Sequence, residues 1–315
     1  MWKSWPVVTA QAVCRDKGAV HVQWINQKAQ ALTQGAIRAM FDRANTMTNV
    51  ISMGIGEPDM ATPALVREAG KEALDKGITH YTPNVGTMML RQAIAEKSTL
   101  RDLHYDPSTE IIITNGGMGA LSLLFLVLLE NEDEIMIQDP QWLNYVAQVR
   151  YCGGKAVRVP TDMDHNFEMQ PETIEALITP KTKALMINSP NNPTGCMYSK
   201  ETLDAIHDVL KDKPIFVLCD DVYRTLVYKE GYHSFAEYQD MRDRIIVINS
   251  FSKPYAMTGW RLGYCMADAP IMDRIQVFHQ YAVTSVPAFV QKACVTALHT
   301  PTDDVVEIFR KQDLI

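Results

Sequence analysis

A lysine and an aspartate each follow an apolar run of strand length, and both could take part in Schiff-base chemistry. Lys253 comes shortly after the run 245–249. A lysine that is removed from water has a lowered pKa and is a better nucleophile toward aldehydes. Asp220 directly follows the run 215–219, and its carboxylate could keep a pyridinium nitrogen protonated. Taken singly, Lys253 could equally be a surface lysine in a turn, and Asp220 could cap a helix.

A glycine-rich turn could bind a phosphate group. Gly116, Gly117 and Gly119 come after the apolar run 111–114 and before a segment of helical character. Backbone N–H groups in such a turn and the N-terminus of the helix attract anions. The turn is not a Walker A loop, because no Lys-Ser or Lys-Thr follows, and it lacks the G-x-G-x-x-G spacing of a dinucleotide site. The alternative is a tight strand-to-helix turn that binds nothing.

The elements that must position these residues alternate along the chain. Strand-length apolar runs are separated by helix signals, which predicts an α/β fold with a mainly parallel central sheet and flanking helices. One predicted helix begins at Thr62 and ends at Gly77, and another begins at 170–172. The predicted strands are 50–53, 111–114, 135–138, 156–159, 184–188, 215–219, 245–249 and 262–266.

Ligands of parallel α/β sheets bind at the carboxyl ends of the strands. The residues that come after the predicted strands include the glycine turn and the side chains Trp142, Asn192, Asp220, Tyr223 and Lys253. In isolation, Trp142 is read as core packing, Tyr223 as a half-buried helix residue and Arg261 as a surface arginine. Because all of them fall at one edge of one sheet, the sequence predicts a cofactor site there.

The composition excludes several classes of protein. The chain has 315 residues, which predicts about two domains, and its net charge of −7 argues against a general nucleic-acid-binding surface. Hydrophobic residues make up 47%, which argues against a disordered chain. No apolar run is long enough for a membrane helix, and no secretory signal, metal motif or C-x-x-C pair is found. We therefore expect a cytoplasmic protein without nucleic-acid, membrane or metal partners.

Two stretches resemble the class I/II aminotransferases, which are pyridoxal 5′-phosphate (PLP) enzymes of fold type I. They are Ser-Pro-Asn-Asn-Pro-Thr-Gly at 189–195 and Ser-Phe-Ser-Lys-Pro-Tyr-Ala-Met-Thr-Gly-Trp-Arg-Leu-Gly-Tyr at 250–264. The segments 54–59 and 81–86 match earlier landmarks of the family, and the resemblance runs from about residue 35 to the C-terminus. Its first segment, 35–41, looks most like the branch of aspartate and aromatic aminotransferases.

The resemblance implies an enzyme that moves an amino group between an L-amino acid and a 2-oxo acid. Lys253 would hold PLP as an aldimine and then carry the proton between the substrate Cα and the cofactor. Asp220 would pair with the pyridine nitrogen. Tyr223 and Asn192 would donate hydrogen bonds to the phenolic oxygen, and Trp142 would stack on the ring.

The resemblance also implies a phosphate site, a substrate site and a homodimer. Tyr81 would reach the phosphate in the partner subunit. The other phosphate ligands would be Gly117, Met118, Ser250 and Arg261. The substrate would contact Gly56, Trp142 and Asn192.

The chain departs from the family at three points. Met118 and Gly119 stand where the family usually has polar residues, and Asp221 stands where it usually has glutamate. The family continues past the position of Ile315 for about a hundred residues, enough for a small second domain, and that stretch carries the arginine that binds the substrate α-carboxylate. We therefore expect a complete cofactor site, an incomplete substrate site, reduced turnover and poor solubility.

The predicted domain organisation follows from the same resemblance. Residues 1–30 would be an N-terminal extension, and 31–60 would be the first segment of the small domain. Residues 61–285 would form the large PLP-binding domain. Residues 286–315 would begin an interdomain helix and an incomplete small domain, with a helix from about residue 303.

Other readings stay open at this point. A PLP-dependent Cβ lyase uses the same lysine, and a non-catalytic fragment could bind PLP or only dimerise. Residues 250–253 also satisfy S-x-x-K, the motif of serine acyl-enzymes, although S-D-N and K-T-G are absent and the motif follows a predicted strand. The residues leave open which amino acid and 2-oxo acid react.

Overall fold

The computed structural model describes residues 25–33, 35–51, 56–97, 103–227 and 231–300. The chain divides into a compact unit that ends at Gly56 and a second that begins at Glu57. Among its described residues, the first unit contains two short helices, α1 (Gln27–Ala31) and α2 (Ala36–Ala44). The predicted boundaries between the four segments stay predictions.

Within the described residues of the second unit, seven strands form one sheet in the order β1-β7-β6-β5-β4-β2-β3. Neighbours from β6 through β3 are parallel, whereas β7 is antiparallel to both β6 and β1. This confirms the predicted α/β fold with a mainly parallel sheet. The strands are β1 (Ile111–Thr114), β2 (Glu134–Asp139), β3 (Lys155–Pro160), β4 (Thr182–Asn188), β5 (Phe216–Asp220), β6 (Ile245–Ser250) and β7 (Gly263–Met266).

The predicted strand at 50–53 is wrong where the structure describes it. Val50 and Ile51 are not in a strand, and Ile51 is 92% exposed. Ser52 and Met53 lie outside the described residues. An apolar run forms a strand only where a neighbouring strand accepts its backbone hydrogen bonds, and the sheet register includes neither Val50 nor Ile51.

Helices cover both faces of the sheet. They are α3 (Ala64–Asp75), α4 (Met88–Lys97), α5 (Gly116–Leu128), α6 (Leu143–Tyr151), α7 (Pro171–Leu177), α8 (Lys200–Leu210), α9 (Ala269–Ala282) and α10 (Ala288–His299). Both predicted helices are present, but α3 begins two residues after the predicted Thr62, with Pro63 at its N-cap position; the Thr62 hydroxyl instead donates to the Ala256 backbone oxygen at 2.7 Å. Gly77 follows α3 with φ +67°, and Pro171 opens α7.

Successive residues of a strand point to opposite faces of the sheet and so pack into two separate hydrophobic cores. Ile111 and Ile113 belong to the core that receives side chains from α3, α4, α8 and α10. Ile112 belongs to the core on the other face, which receives side chains from α5, α6 and α9. Coverage on both faces explains why these strands are continuous apolar runs. Among the described helices, none is long and apolar enough to cross a membrane.

Candidate active site

The strand directions bring the predicted site residues to one edge of the sheet. Because β1 and β6 both run antiparallel to β7, their carboxyl ends lie at the edge where β7 begins. The turn after β1, the last residues of β5 and β6, and the segment before β7 therefore meet there. The elements place at this edge Gly117, Met118, Trp142, Asn192, Asp220, Tyr223, Ser250, Lys253 and Arg261.

Asp220 is the last residue of β5 and is only 4% exposed. Its Oδ2 accepts a hydrogen bond of 2.6 Å from the Tyr145 hydroxyl, and its Oδ1 accepts a longer one of 3.4 Å from the Val222 N–H. Burial raises the pKa of Asp220 to about 6, while these two hydrogen bonds lower it. The carboxyl group is thus ionised at neutral pH although it is removed from water.

Asn188 ties the end of β4 to the end of β5. Its side-chain amide donates to the backbone oxygen of Asp220 at 2.9 Å, and its Oδ1 accepts from the Asn192 N–H at 2.9 Å. The Asn192 amide in turn donates to the Tyr223 hydroxyl at 3.1 Å. Burial raises the pKa of Tyr223, and the bond from Asn192 opposes that rise. Two hydrogen-bonding groups are therefore held together near Asp220.

Lys253 lies in the turn that follows β6 and is partly buried. Burial lowers its pKa, the carboxylate of Glu57 raises it, and the charge of Arg261 lowers it further. The Glu57 carboxylate accepts a hydrogen bond of 2.9 Å from the Thr258 hydroxyl. The desolvated lysine expected from the sequence is thus present at the sheet edge.

Two glycines let Arg261 and the start of β7 approach the glycine turn closely. A Cβ on Gly116 would lie 2.6 Å from Nη2 of Arg261, and Gly116 has φ +68°. A Cβ on Gly263 would lie 2.6 Å from the carbonyl carbon of Gly116 and 2.7 Å from the nitrogen of Gly117. The backbone of Arg261 adopts the left-handed conformation (φ +55°), and its Nη1 donates to the Thr258 backbone oxygen at 2.8 Å. The Arg261 guanidinium therefore lies beside the N-terminus of α5.

Ser250 and Met118 border that turn. A Cβ on Gly117 would lie 4.0 Å from the Ser250 Cβ, and the Ser250 hydroxyl donates to Ser252 Oγ at 2.9 Å. The Met118 sulfur lies 3.6 Å from Nδ2 of Asn144 on α6. A thioether thus stands beside the turn in place of a polar side chain, and the anion-binding role of the turn stays a prediction.

Three further predictions stay predictions. Tyr81 lies in the loop before α4 and is 88% exposed. Gly56 is the last residue of the first unit, so its substrate contact stays a prediction. The predicted helix from residue 303 lies outside the described residues.

Tyr145 is the functional side chain that the sequence reasoning missed. It lies three residues after Trp142 on the same side of α6, and their rings meet edge to face at 5.3 Å. That spacing was the available signal. The structure also speaks against the serine acyl-enzyme, because Ser250 ends β6 and a turn rather than a helix follows it.

Comparison with known proteins identifies the family of the chain. Residues 48–311 match the family described as aminotransferase class I and II. An aromatic-amino-acid aminotransferase 2 from Thermococcus litoralis is 39% identical over 277 residues, covering 87% of this chain and 71% of the relative. An aspartate aminotransferase from Pyrococcus abyssi is 38% identical, covering 91% and 75%.

Solved structures give the same answer. The aspartate aminotransferase from Thermus thermophilus with maleate superimposes with a TM-score of 0.86 at 33% identity, covering 91% of this chain and 76% of that one. With its sheet, its site and these relatives, the chain belongs to the class I and II aminotransferase family, the PLP-dependent enzymes of fold type I that move an amino group between an amino acid and a 2-oxo acid.

Proposed function

We propose that the sheet edge holds PLP between Asp220, Lys253 and Arg261. The observation that carries this assignment is a buried carboxylate with a raised pKa at the same edge as a desolvated amine. These side chains fit the parts of the cofactor. The Lys253 amine suits its aldehyde, the Asp220 carboxylate suits its ring nitrogen, and the Arg261 guanidinium beside a helix N-terminus suits its phosphate. When bound, PLP supplies a ring that accepts the electron pair from the substrate Cα.

Each residue of the site has its own role in binding and catalysis. Asp220 holds the proton on the ring nitrogen, and Tyr145 keeps the carboxylate oriented and ionised. Lys253 would take the proton from the substrate Cα and deliver it to the carbon that receives the amino group. Tyr223 and Asn192 would donate hydrogen bonds to the phenolic oxygen. Trp142 would pack on the ring, and Arg261, Ser250 and the N–H groups of Gly117 and Met118 would hold the phosphate.

We propose aspartate or an aromatic amino acid as the substrate, since relatives named for both are similar to this chain over most of its length. Gly56, Trp142 and Asn192 would contact it. The expected weak turnover and poor solubility stay predictions, and the turnover assay below measures the first.

We propose further that the enzyme works as a homodimer in the cytoplasm. Exposed aromatic side chains support the dimer, because Tyr81 is 88% and Tyr281 84% exposed. Within the described residues, the four cysteines Cys196, Cys219, Cys265 and Cys294 are buried and form no disulfide bond. Buried thiols in the reduced state suit a reducing compartment. Participation in amino-acid metabolism follows from the activity.

The test is to add PLP to the purified protein, reduce with borohydride and map the labelled peptide. We expect the label on Lys253 and its loss in Lys253→Ala. Lys183→Ala is the control, because Lys183 is a half-exposed lysine of β4. Label elsewhere, or label retained in Lys253→Ala, would contradict the assignment.

Turnover separates the remaining readings. L-aspartate and L-phenylalanine are offered with 2-oxoglutarate as acceptor, and the new amino acid and 2-oxo acid are measured. A transaminase forms both in equal amounts and needs the acceptor. A Cβ lyase releases ammonia from L-cysteine without an acceptor, and a non-catalytic fragment takes the label but does neither.

A further inference from the structure

The loop that carries Tyr81, residues 81–87, is anchored by a buried histidine. His279 on α9 is 0% exposed, and its Nδ1 lies 2.6 Å from Oδ1 of Asn84. The Asn84 amide nitrogen donates to the backbone oxygen of Gln276, also on α9, at 2.8 Å. Since Asn84 donates with its nitrogen, its oxygen must accept, and His279 carries its proton on Nδ1. Asn84 is thereby fixed to α9 at two points.

A buried glutamine anchors the same loop from α10. Gln291 is 0% exposed, and its amide nitrogen donates to the Thr82 hydroxyl at 2.9 Å. Its Oε1 accepts from the Thr87 N–H at 2.8 Å. One side chain therefore bonds both ends of the loop.

The loop backbone also closes against the sheet. The Ile113 N–H of β1 donates to the Val85 carbonyl at 3.0 Å. Gly86 has φ +94°, and a Cβ there would lie 2.2 Å from Cγ1 of Ile113. A residue with a side chain could not take this place, so the close packing of the loop on β1 requires glycine at this position.

This anchoring contrasts with the exposure of Tyr81 itself. Burying polar groups such as His279 and Gln291 is costly unless they are hydrogen-bonded, and here their bonds are made to a loop whose first residue is 88% exposed. On α9, Tyr281 is 84% and Phe278 42% exposed. An exposed aromatic on a rigid loop, together with exposed aromatics on the helix that anchors the loop, suits contact with a second copy of the chain.

We propose that His279 and Gln291 are positioning residues that hold the 81–87 loop so that Tyr81 reaches the cofactor phosphate of a second copy of the chain. This rests on the proposed PLP site and homodimer. It follows that each subunit's anchors set the cofactor affinity of the other subunit, although neither side chain contacts a cofactor.

The first test measures the PLP dissociation constant and the urea midpoint of single variants. Gln291→Leu removes both hydrogen bonds from Gln291 to the loop and should weaken PLP binding at least tenfold, since the loss of one hydrogen bond corresponds to about tenfold. Thr82→Val removes only the hydroxyl that accepts from Gln291 and should weaken it less. Lys292→Met, at the exposed neighbour of Gln291 on α10, is the control and should bind normally. His279→Asn, which keeps a donor near the Nδ1 position, should bind more tightly than His279→Leu.

The decisive test uses mixed dimers, made by co-expressing two differently tagged chains. One chain carries Arg261→Ala and the other Gln291→Leu. If the anchor acts across the dimer, one site has both defects and the other has neither, so half of the sites bind PLP with the affinity of the unaltered protein. If it acts within its own chain, each site has one defect and no site binds normally.

The outcomes distinguish this inference from the proposed function. Normal PLP binding by the Arg261→Ala homodimer would refute the phosphate assignment. Weak binding by that homodimer, with no normal sites in the mixed dimer, would refute the inference alone. Gln291→Leu and Thr82→Val with normal PLP affinity and only a lowered urea midpoint would show that the anchor is merely structural. A monomer that binds PLP with full affinity would also refute the inference.

Discussion

Replacing Asp220 with asparagine should stabilise the cofactor-free protein at neutral pH while weakening PLP binding. Burial raises the pKa of Asp220 from its usual 3.8 to about 6. A raised pKa means that the folded chain binds this proton more tightly than the unfolded chain does. The resulting stability is complete below pH 3.8 and is lost as the pH rises through about 6. Above that pH, the ionised carboxylate opposes folding.

The magnitude follows from the shift. About two pKa units correspond to about 3 kcal/mol in the free energy of unfolding. Asparagine has no charge to bury, and its oxygen still accepts from the Tyr145 hydroxyl. Its amide nitrogen, however, would face the Val222 N–H, which costs about 1 kcal/mol. We therefore expect Asp220→Asn to be about 2 kcal/mol more stable at pH 7.5, and to lose this advantage near pH 4.

The assay is urea unfolding of the PLP-free protein at pH 4, 5, 6 and 7.5, with PLP titration in parallel. Asp139→Asn is the matched control, since Asp139 also ends a strand but its side chain is 37% exposed and pairs with Arg158. That change should alter stability by at most about 1 kcal/mol. If Asp220→Asn is less stable than the original at pH 7.5, or if the difference does not vary with pH, the reasoning is wrong.

Three further predictions concern the same edge of the sheet. Tyr145→Phe removes a donor to an ionised group, so the pKa of Asp220 should rise further and PLP affinity should fall about 10- to 100-fold, with partial recovery at higher pH in the titration. Gly263→Ala places a Cβ 2.6 Å from the Gly116 carbonyl carbon and should lower the unfolding free energy by about 1–3 kcal/mol in urea. Arg261→Lys keeps the charge but loses the two-armed donor, so PLP binding should weaken in a competition titration while pyridoxal, which has no phosphate, binds as before.

Local patterns were sufficient to predict the strands and the residues that follow them. Lys253 and Asp220 could be placed at the sheet edge because each comes after an apolar run, and a run covered on both faces is visible in the sequence alone. The direction of β7 could not be predicted, because such a run reads the same in a parallel and an antiparallel strand. The strand predicted at Val50 and Ile51 was wrong because an apolar run does not reveal whether a neighbouring strand is available for pairing.

The missed contacts join residues that are far apart in the chain. Tyr145 reaches Asp220 across 75 positions, and Gln291 reaches Thr82 across 209. Nothing in the neighbourhood of Tyr145 or Gln291 reveals such a partner, because the packing of α6 and α10 on the rest of the fold brings the atoms together. The spacing of Tyr145 from Trp142 indicates only that the two rings are neighbours, and the bond from Tyr145 to Asp220 is visible only in the tertiary structure.

The reversal between β6 and β7 has a consequence for how this chain can vary. Ser250 pairs with Gly263 in the sheet, and the Phe251 N–H donates to the Leu262 carbonyl at 3.2 Å. The intervening residues carry both Lys253 and Arg261, so one closed loop sets the separation of the amine from the guanidinium. An inserted or deleted residue would change the distance between these two side chains. Such a loop tolerates substitutions far better than a change of length. In a library of loop-length variants, only those with the native spacing should retain PLP.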